Sequence, residues 1–243
     1  MVGVNDAVIW HDVECGGYGS DLPLWRRMAR KTDGPVLDLG AGTGRVTLDL
    51  ARHGHDVTAL DADEDLLGEL ERRAGEEGLT VSCLPGDARA LTAGDPFGLI
   101  IAPMQLLQIV GGASGRAELL AGVAARLSPG GSFAAAISDL DEAVPAEDAE
   151  PPLPDVGERR GWIYSSRALD VRTEPGGIAV EWLRQKVSPA GELTEVRHTQ
   201  RLDSLSPDEL EREAGAQGLL AAARHAVGQT TAYIGSTVVV CRR

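Results

Sequence analysis

Around residue 40 the chain reads Val36-Leu37-Asp38-Leu39-Gly40-Ala41-Gly42-Thr43-Gly44-Arg45, and nothing else in it restricts the fold so strongly. A short apolar run enters three glycines at alternate positions, and a helical pattern carrying Val46, Leu48 and Leu50 follows at once. That order describes a buried strand turning sharply into a helix, the unit from which parallel sheets are built. Glycines at such a turn permit positive φ and let a ligand reach bare backbone, while the helix behind them offers unpaired N–H groups. A dinucleotide turn of the nicotinamide type requires a third glycine three residues after the second. Counted from Gly40 and Gly42 that place holds Arg45, and counted from Gly42 and Gly44 it holds Thr47. A nicotinamide-dependent oxidoreductase is therefore disfavoured.

The alternation of short apolar runs and helical patterns extends from residue 35 to 139. Strands are expected at 36–39, 56–61, 80–84, 97–102 and 132–138, with helices at 45–52, from 63 to about 74, and at 118–127. Asp63 suits the N-cap of the second of these helices, because its carboxylate accepts orphan backbone N–H groups. The turn Ser128-Pro129-Gly130-Gly131 leads into the fifth strand. Residues 141–157 are acidic and proline-rich and read as an irregular loop. Three alternating segments follow at 161–173, 178–188 and 192–202, separated by turn residues, and form an antiparallel meander inserted after strand five. Ser206-Pro207-Asp208-Glu209 is a capping-box helix start. Strands at 221–227 and 236–241 close the sheet as a hairpin. The organisation predicted is a helical lid segment at 1–34, a core at 35–140, the acidic loop and β insertion at 141–204, and a closing helix and hairpin at 205–243.

The glycine turn, together with acids at the later strand ends, resembles the class I S-adenosylmethionine-dependent methyltransferases. Their first motif is an acidic residue at the strand followed by this glycine pattern, as in VLDLGAGTGR. The resemblance implies an α/β fold with a Rossmann-like, mostly parallel sheet of seven strands, helices on both faces and the antiparallel insertion after strand five. It places Asp61, in TALDAD, on the adenosine ribose, where a carboxylate can accept both hydroxyl hydrogens. It places Asp87, in LPGDAR, on the adenine amino group, and the segment beginning Pro103-Met104-Gln105 beside the methyl donor. The implied cofactor-binding set is Tyr18, Asp38, Gly40, Ala41, Gly42, Gly44, Asp61, Ala62, Asp87, Ala88, Pro103 and Met104. The layout with a meander after strand five is similar to small-molecule N-methyltransferases of the glycine and amino-sugar types, in which the inserted strands roof the acceptor and dimers are frequent. A homodimer is thus an option, and the product would be S-adenosylhomocysteine.

Methyl transfer from a sulfonium needs chiefly that nucleophile and methyl be held in line, so no catalytic triad is expected and none is present. An amine acceptor need only arrive neutral, whereas a hydroxyl or carbon acid more often requires a base. The expected acceptor is a small-molecule amine. O- or C-methylation of a natural product or peptide is the alternative, and a non-catalytic S-adenosylmethionine-binding module is the alternative of another class. Tyr18 and His198 are candidate catalytic residues, while Gln105, Gln108, Trp162 and Tyr164 are candidates for touching the acceptor. Trp25 falls in a helical pattern with Leu22 and Met28 and is expected in the core. His11 lies in the lid segment, and His53 and His55 flank Gly54 at a helix C-terminus.

Among 243 residues the formal net charge is −14, and lysine stands only at Lys31 and Lys186. So acidic a surface repels phosphate backbones, and nucleic acid is not an expected partner. No apolar run approaches the roughly 18 residues that suggest a membrane span, and residues 1–10 lack the pattern of a signal peptide. A cytoplasmic location is expected. Cys15, Cys83 and Cys241 are widely spaced, without metal-ligand spacing, and Cys83 and Cys241 fall in strands; neither a disulfide framework nor a metal site is expected.

Overall fold

The computed structural model describes residues 6–91, 94–140, 153–230 and 233–243. Two helices, α1 (Asp6–Cys15) and α2 (Leu22–Ala29), precede the sheet. The parallel core follows as β1 (Val36–Leu39), α3 (Arg45–Arg52), β2 (Val57–Asp61), α4 (Glu64–Glu76), β3 (Ser82–Pro85), β4 (Phe97–Ala102), α5 (Leu106–Ile109), α6 (Gly112–Arg126) and β5 (Leu127–Ile137). The inserted strands are β6 (Asp155–Arg159), β7 (Trp162–Glu174), β8 (Gly177–Val187) and β9 (Leu193–Asp203). Helix α7 (Pro207–Ala216) and the hairpin β10 (Leu220–Val227) and β11 (Ser236–Arg242) complete the chain.

The strands form a seven-stranded sheet in the order β10-β11-β5-β4-β1-β2-β3 and a separate four-stranded sheet in the order β6-β7-β8-β9. Within the first, only β11 runs against its neighbours. Its central strands are apolar on both faces, as a sheet covered on both sides requires. Ile100 and Ala102 of β4, Phe133 and Ala135 of β5 and Val239 of β11 pack towards α6 and α7. The alternate residues Leu99, Ile101, Ala134 and Val238 pack towards α2 and α3, where Trp25 is fully buried. The expected Rossmann-like fold with its antiparallel insertion is the one observed.

Local signals place several element ends. Asp63 accepts from the backbone N–H groups of Asp65 and Leu66 at the start of α4, and Ser206 with Glu209 forms the reciprocal capping box of α7. Four expectations are corrected. Residues 155–157, read as the end of the irregular loop, belong to β6, which pairs with β7; the acidic run at 147–152 lies outside the described residues. The third strand is shifted to Ser82–Pro85, an edge strand whose proline is tolerated there. Helix α6 begins at Gly112 rather than 118, because its start packs so tightly that a Cβ on Gly115 would strike the Val110 carbonyl. The Ser128–Gly131 turn lies within β5 as a bulge: Phe97 pairs with Leu127, and Leu99 then pairs with Ser132.

Candidate functional site

In the strand order, β1 lies between β2 on one side and β4 on the other, so the chain reverses its direction of travel across the sheet there. Open α/β sheets bind ligands in the crevice outside the strand ends at such a switch point. Here the crevice is bordered by the turn after β1, where Gly40, Gly42 and Gly44 take φ of +67°, +54° and +91°. The N–H groups of Gly40 and Ala41 both donate to the Leu60 carbonyl at the end of β2, at 2.8 and 3.0 Å. Asp61, the next residue, accepts from Gly42 N at 2.8 Å through Oδ2 and from Asp63 N at 2.9 Å through Oδ1. One carboxylate thus fixes both the glycine turn and the start of α4.

Asp38 is buried in β1. Thr47 Oγ1 donates to its Oδ2 at 2.7 Å, while Oδ1 has no partner. Burial pushes the carboxyl up to about 7, against the opposing effect of the Thr47 hydroxyl and of Arg45. Asp87 behaves oppositely: the Arg89 guanidinium and the Arg89 backbone N–H hold its exposed carboxyl at about 2. At the end of β4, Met104 has φ of +56°, a conformation costly for a long side chain and concentrated at ligand sites.

These elements surround a cleft of about 840 Å³. Gly40, Asp61, Ala62, Asp87, Ala88, Pro103, Met104 and Gln105 line its floor. His11, Glu14 and Cys15 of α1 line its flank, and Arg184, His198 and Gln200 of the inserted sheet line its roof. Asp38 and Ala41 line an adjoining cavity of about 50 Å³ together with His11, Gly40 and Met104. Gly42 and Gly44 line neither; a Cβ on Gly42 would collide with the His11 ring, and one on Gly44 with Leu70. At Gly42 and Gly44 the turn is therefore a cradle that tolerates no side chain.

The roof is one face of the inserted sheet. Trp182 and His198 are cross-strand partners with nearly parallel rings 6.5 Å apart. Burial, and then the Arg184 charge, lower the His198 pKa and favour the neutral ring. Helix α1 lies between this face and the core. Glu14 accepts from both nitrogens of Arg184 at 2.7 Å and from Ser166 at 2.7 Å. On the core side, Asp12 pairs with Arg73 and accepts from the Thr43 hydroxyl at 2.8 Å.

Several expected residues lie elsewhere. Trp162 and Tyr164 pack against Ile9, Trp10 and Val13 of α1, with Trp10 and Tyr164 edge to face at 5.2 Å. Gln108 is fully buried and its amide is consumed: it donates to the Ser138 and Asp203 carbonyls and accepts from Ser138 N. None of these three residues lines the cleft. Tyr18 is buried against Tyr233 and Arg45 and lines a separate cavity of about 40 Å³ with Met104 and Gln105. Cleft residues Glu14, Arg184 and Gln200 carried no sequence signal, since only the seating of α1 and the sheet brings them to the site.

Residues 36–131 match a family model described as a methyltransferase domain. The cypemycin N-terminal methyltransferase of a Streptomyces species is 34% identical over 115 residues, 47% of this chain and 46% of that protein. A ubiquinone biosynthesis O-methyltransferase of Methylococcus capsulatus is 37% identical over 76 residues, 31% of this chain and 32% of that protein. The chain thus matches less than half the length of either curated relative. Among solved structures, S-adenosylmethionine-bound CalS10, an amino pentose methyltransferase from Micromonospora echinaspora, superimposes with a TM-score of 0.74 at 18% identity, covering 100% of this chain and 98% of that one. Among the described residues no helix is long and apolar enough to cross a membrane.

Proposed function

We propose that this chain, whose residues 36–131 match a methyltransferase-domain model, moves a methyl group from S-adenosylmethionine to the nitrogen of a small-molecule acceptor. The observation that carries this reading is the continuous cleft running from Asp87 past Asp61 and Gly40 to His198 and Gln200. Its floor fits the donor's chemistry. The Asp61 carboxylate, already at the turn, suits a ribose diol, and Asp87 at the next strand end suits an exocyclic amine. Asp38, with one unpartnered oxygen beside the glycine cradle, suits a positively charged group.

When bound, S-adenosylmethionine supplies a methyl group already activated on a sulfonium for in-line displacement. The residues of the chain then have three tasks. Pro103 and Met104 fix the level at which the acceptor meets the donor. The roof excludes water and orients the acceptor through Gln105, His198 and Gln200. The neutral His198 ring takes up a proton, which an amine sheds on gaining a carbon substituent. In this division of work the parallel core holds the donor and the inserted strands β6–β9 cover the acceptor. The cypemycin N-terminal methyltransferase among the similar proteins supports nitrogen as the acceptor atom. The chain would work as a cytoplasmic enzyme, with no nucleic acid as substrate.

The deciding experiment is isothermal titration of ligand-stripped protein with S-adenosylmethionine, S-adenosylhomocysteine and NAD, followed by amine, hydroxyl and peptide acceptor panels read by mass spectrometry. Binding of the two adenosyl compounds without NAD, and methylation confined to amines, is expected. Binding without turnover on any panel would favour the binding-module reading, and binding of NAD alone would overturn the assignment.

A further inference from the structure

Histidine 11 projects from α1 onto the glycine turn, and its protonation pattern follows from its neighbours. The Thr43 hydroxyl lies 2.8 Å from Asp12 Oδ1 and 3.2 Å from His11 Nδ1. A hydroxyl has one hydrogen, and a carboxylate can only accept. Asp12, which is paired with Arg73, takes that hydrogen from Thr43. Thr43 therefore turns a lone pair towards Nδ1, and Nδ1 must carry the ring's N–H. Burial lowers the imidazole pKa against the pull of Asp12 and Asp61, which favours the neutral ring. Its Nε2 is then a hydrogen-bond acceptor. It stands against Gly42, where a Cβ would collide with it.

The ring also lines the small cavity that Asp38 lines, and Oδ1 of Asp38 is buried without a partner. Arg45 borders that cavity too, but its guanidinium is spent on Asp21, at 2.6 and 2.8 Å, and on the Tyr18 carbonyl at 2.9 Å. The cavity thus offers acceptors on two sides. A group that satisfies it carries several N–H donors and a positive charge, which describes a primary ammonium. S-adenosylmethionine, the donor in the proposed function on which this step rests, bears one on its amino-acid end.

We propose that His11 is a cofactor-binding residue whose Nε2, together with Asp38, accepts hydrogen bonds from the α-ammonium group of S-adenosylmethionine. The helix that closes the cleft thereby carries a ligand to the donor, and donor affinity depends on α1 being seated.

The test compares S-adenosylhomocysteine with its deamino analogue, in which hydrogen replaces the ammonium, by isothermal titration. A charge-assisted pair of hydrogen bonds predicts that the wild-type chain prefers the amine by roughly 100-fold. In His11→Ala that preference falls to about tenfold or less, while affinity for the deamino analogue changes by less than about threefold. His11→Gln, whose amide oxygen reaches the position of Nε2, restores part of the preference and guards against a folding defect in the alanine variant. Equal weakening of both ligands in His11→Ala, or an unchanged preference, would overturn the assignment. No binding of S-adenosylhomocysteine to the wild-type chain would overturn the cofactor reading, and this inference with it.

Discussion

The floor of the cleft is anchored by main chain, since the turn after β1 holds Gly40, Gly42 and Gly44 at positive φ and the Leu60 carbonyl accepts from two turn amides. Its roof is made of side chains: His198 against Trp182, and Arg184 joined to Glu14 of α1. A floor of this kind is fixed by the sheet beneath it, and each residue has one geometry. A roof of this kind depends on long side chains and on the seating of a ten-residue helix. The pairing suits a reaction whose donor is invariant and whose acceptor is chosen separately. In the proposed reaction a floor held by backbone conformation would position the donor's carboxylate contacts, and the exchangeable side chains of the roof would meet the acceptor.

The comparison is sharpened most strongly at Gly42. Gly42→Val places a branched side chain at φ of +54° and against the His11 ring. Strain on the order of 1–3 kcal/mol, added to loss of the cradle, lowers donor affinity by roughly 100-fold or more. Titration calorimetry checks this, and an unchanged affinity would mean that the turn is not the donor's floor. At the junction of the two regions, Gln108→Ala strands the Ser138 amide and two carbonyls. A stability loss of about 2–3 kcal/mol is expected from urea unfolding, with donor affinity of the folded protein nearly unchanged. If affinity fell in proportion to stability, floor and roof would not be separable.

A third prediction concerns pH. Asp38 has its folded pKa raised to about 7 by burial, so the native state keeps a proton that the unfolded chain has lost. The stability this contributes is present below about pH 4 and is lost as pH rises through about 7. Donor affinity should move the other way, because the carboxylate that forms attracts a cation. Between pH 6 and 8 it should rise by up to about tenfold, and Asp38→Asn should flatten the profile. A wild-type profile as flat as that of Asp38→Asn would remove Asp38 from the donor's surroundings. The smallest effect is expected at the roof. Arg184→Ala releases Glu14, and amide exchange in α1 should quicken by roughly tenfold while β1 and β4 exchange as before. Equal quickening in β1 would show that the roof helps to hold the floor.

Much of this was legible in the sequence where the cause is local. The Asp63 cap, the Ser206–Glu209 box and the alternate glycines each act within a few residues, and the helices they begin were placed accordingly. Strand β6 was missed because its pairing with β7 is tertiary, and its flank of prolines and acids reads as loop. Helix α5 has only four residues and no cap to announce it. The strand-end acids Asp61 and Asp87 were legible as positions, and their place at one cleft follows from the sheet order. Gln108, Trp162 and Tyr164 read as ligand contacts because polar and aromatic residues serve both packing and binding. Gln108 and Tyr164 are buried, and Trp162 packs partly buried in the α1 cluster, none of them lining the cleft.

The Gln108 amide has one more consequence. It grips the chain at Ser138, just past β5, and again at Asp203, where β9 ends. The inserted sheet therefore departs from the core and rejoins it at a single point, and closing the chain there without the sheet would carry little entropic cost. The inserted sheet is a cassette with one socket. A shorter, longer or differently faced sheet could be spliced at that amide while the glycine cradle beneath kept its shape.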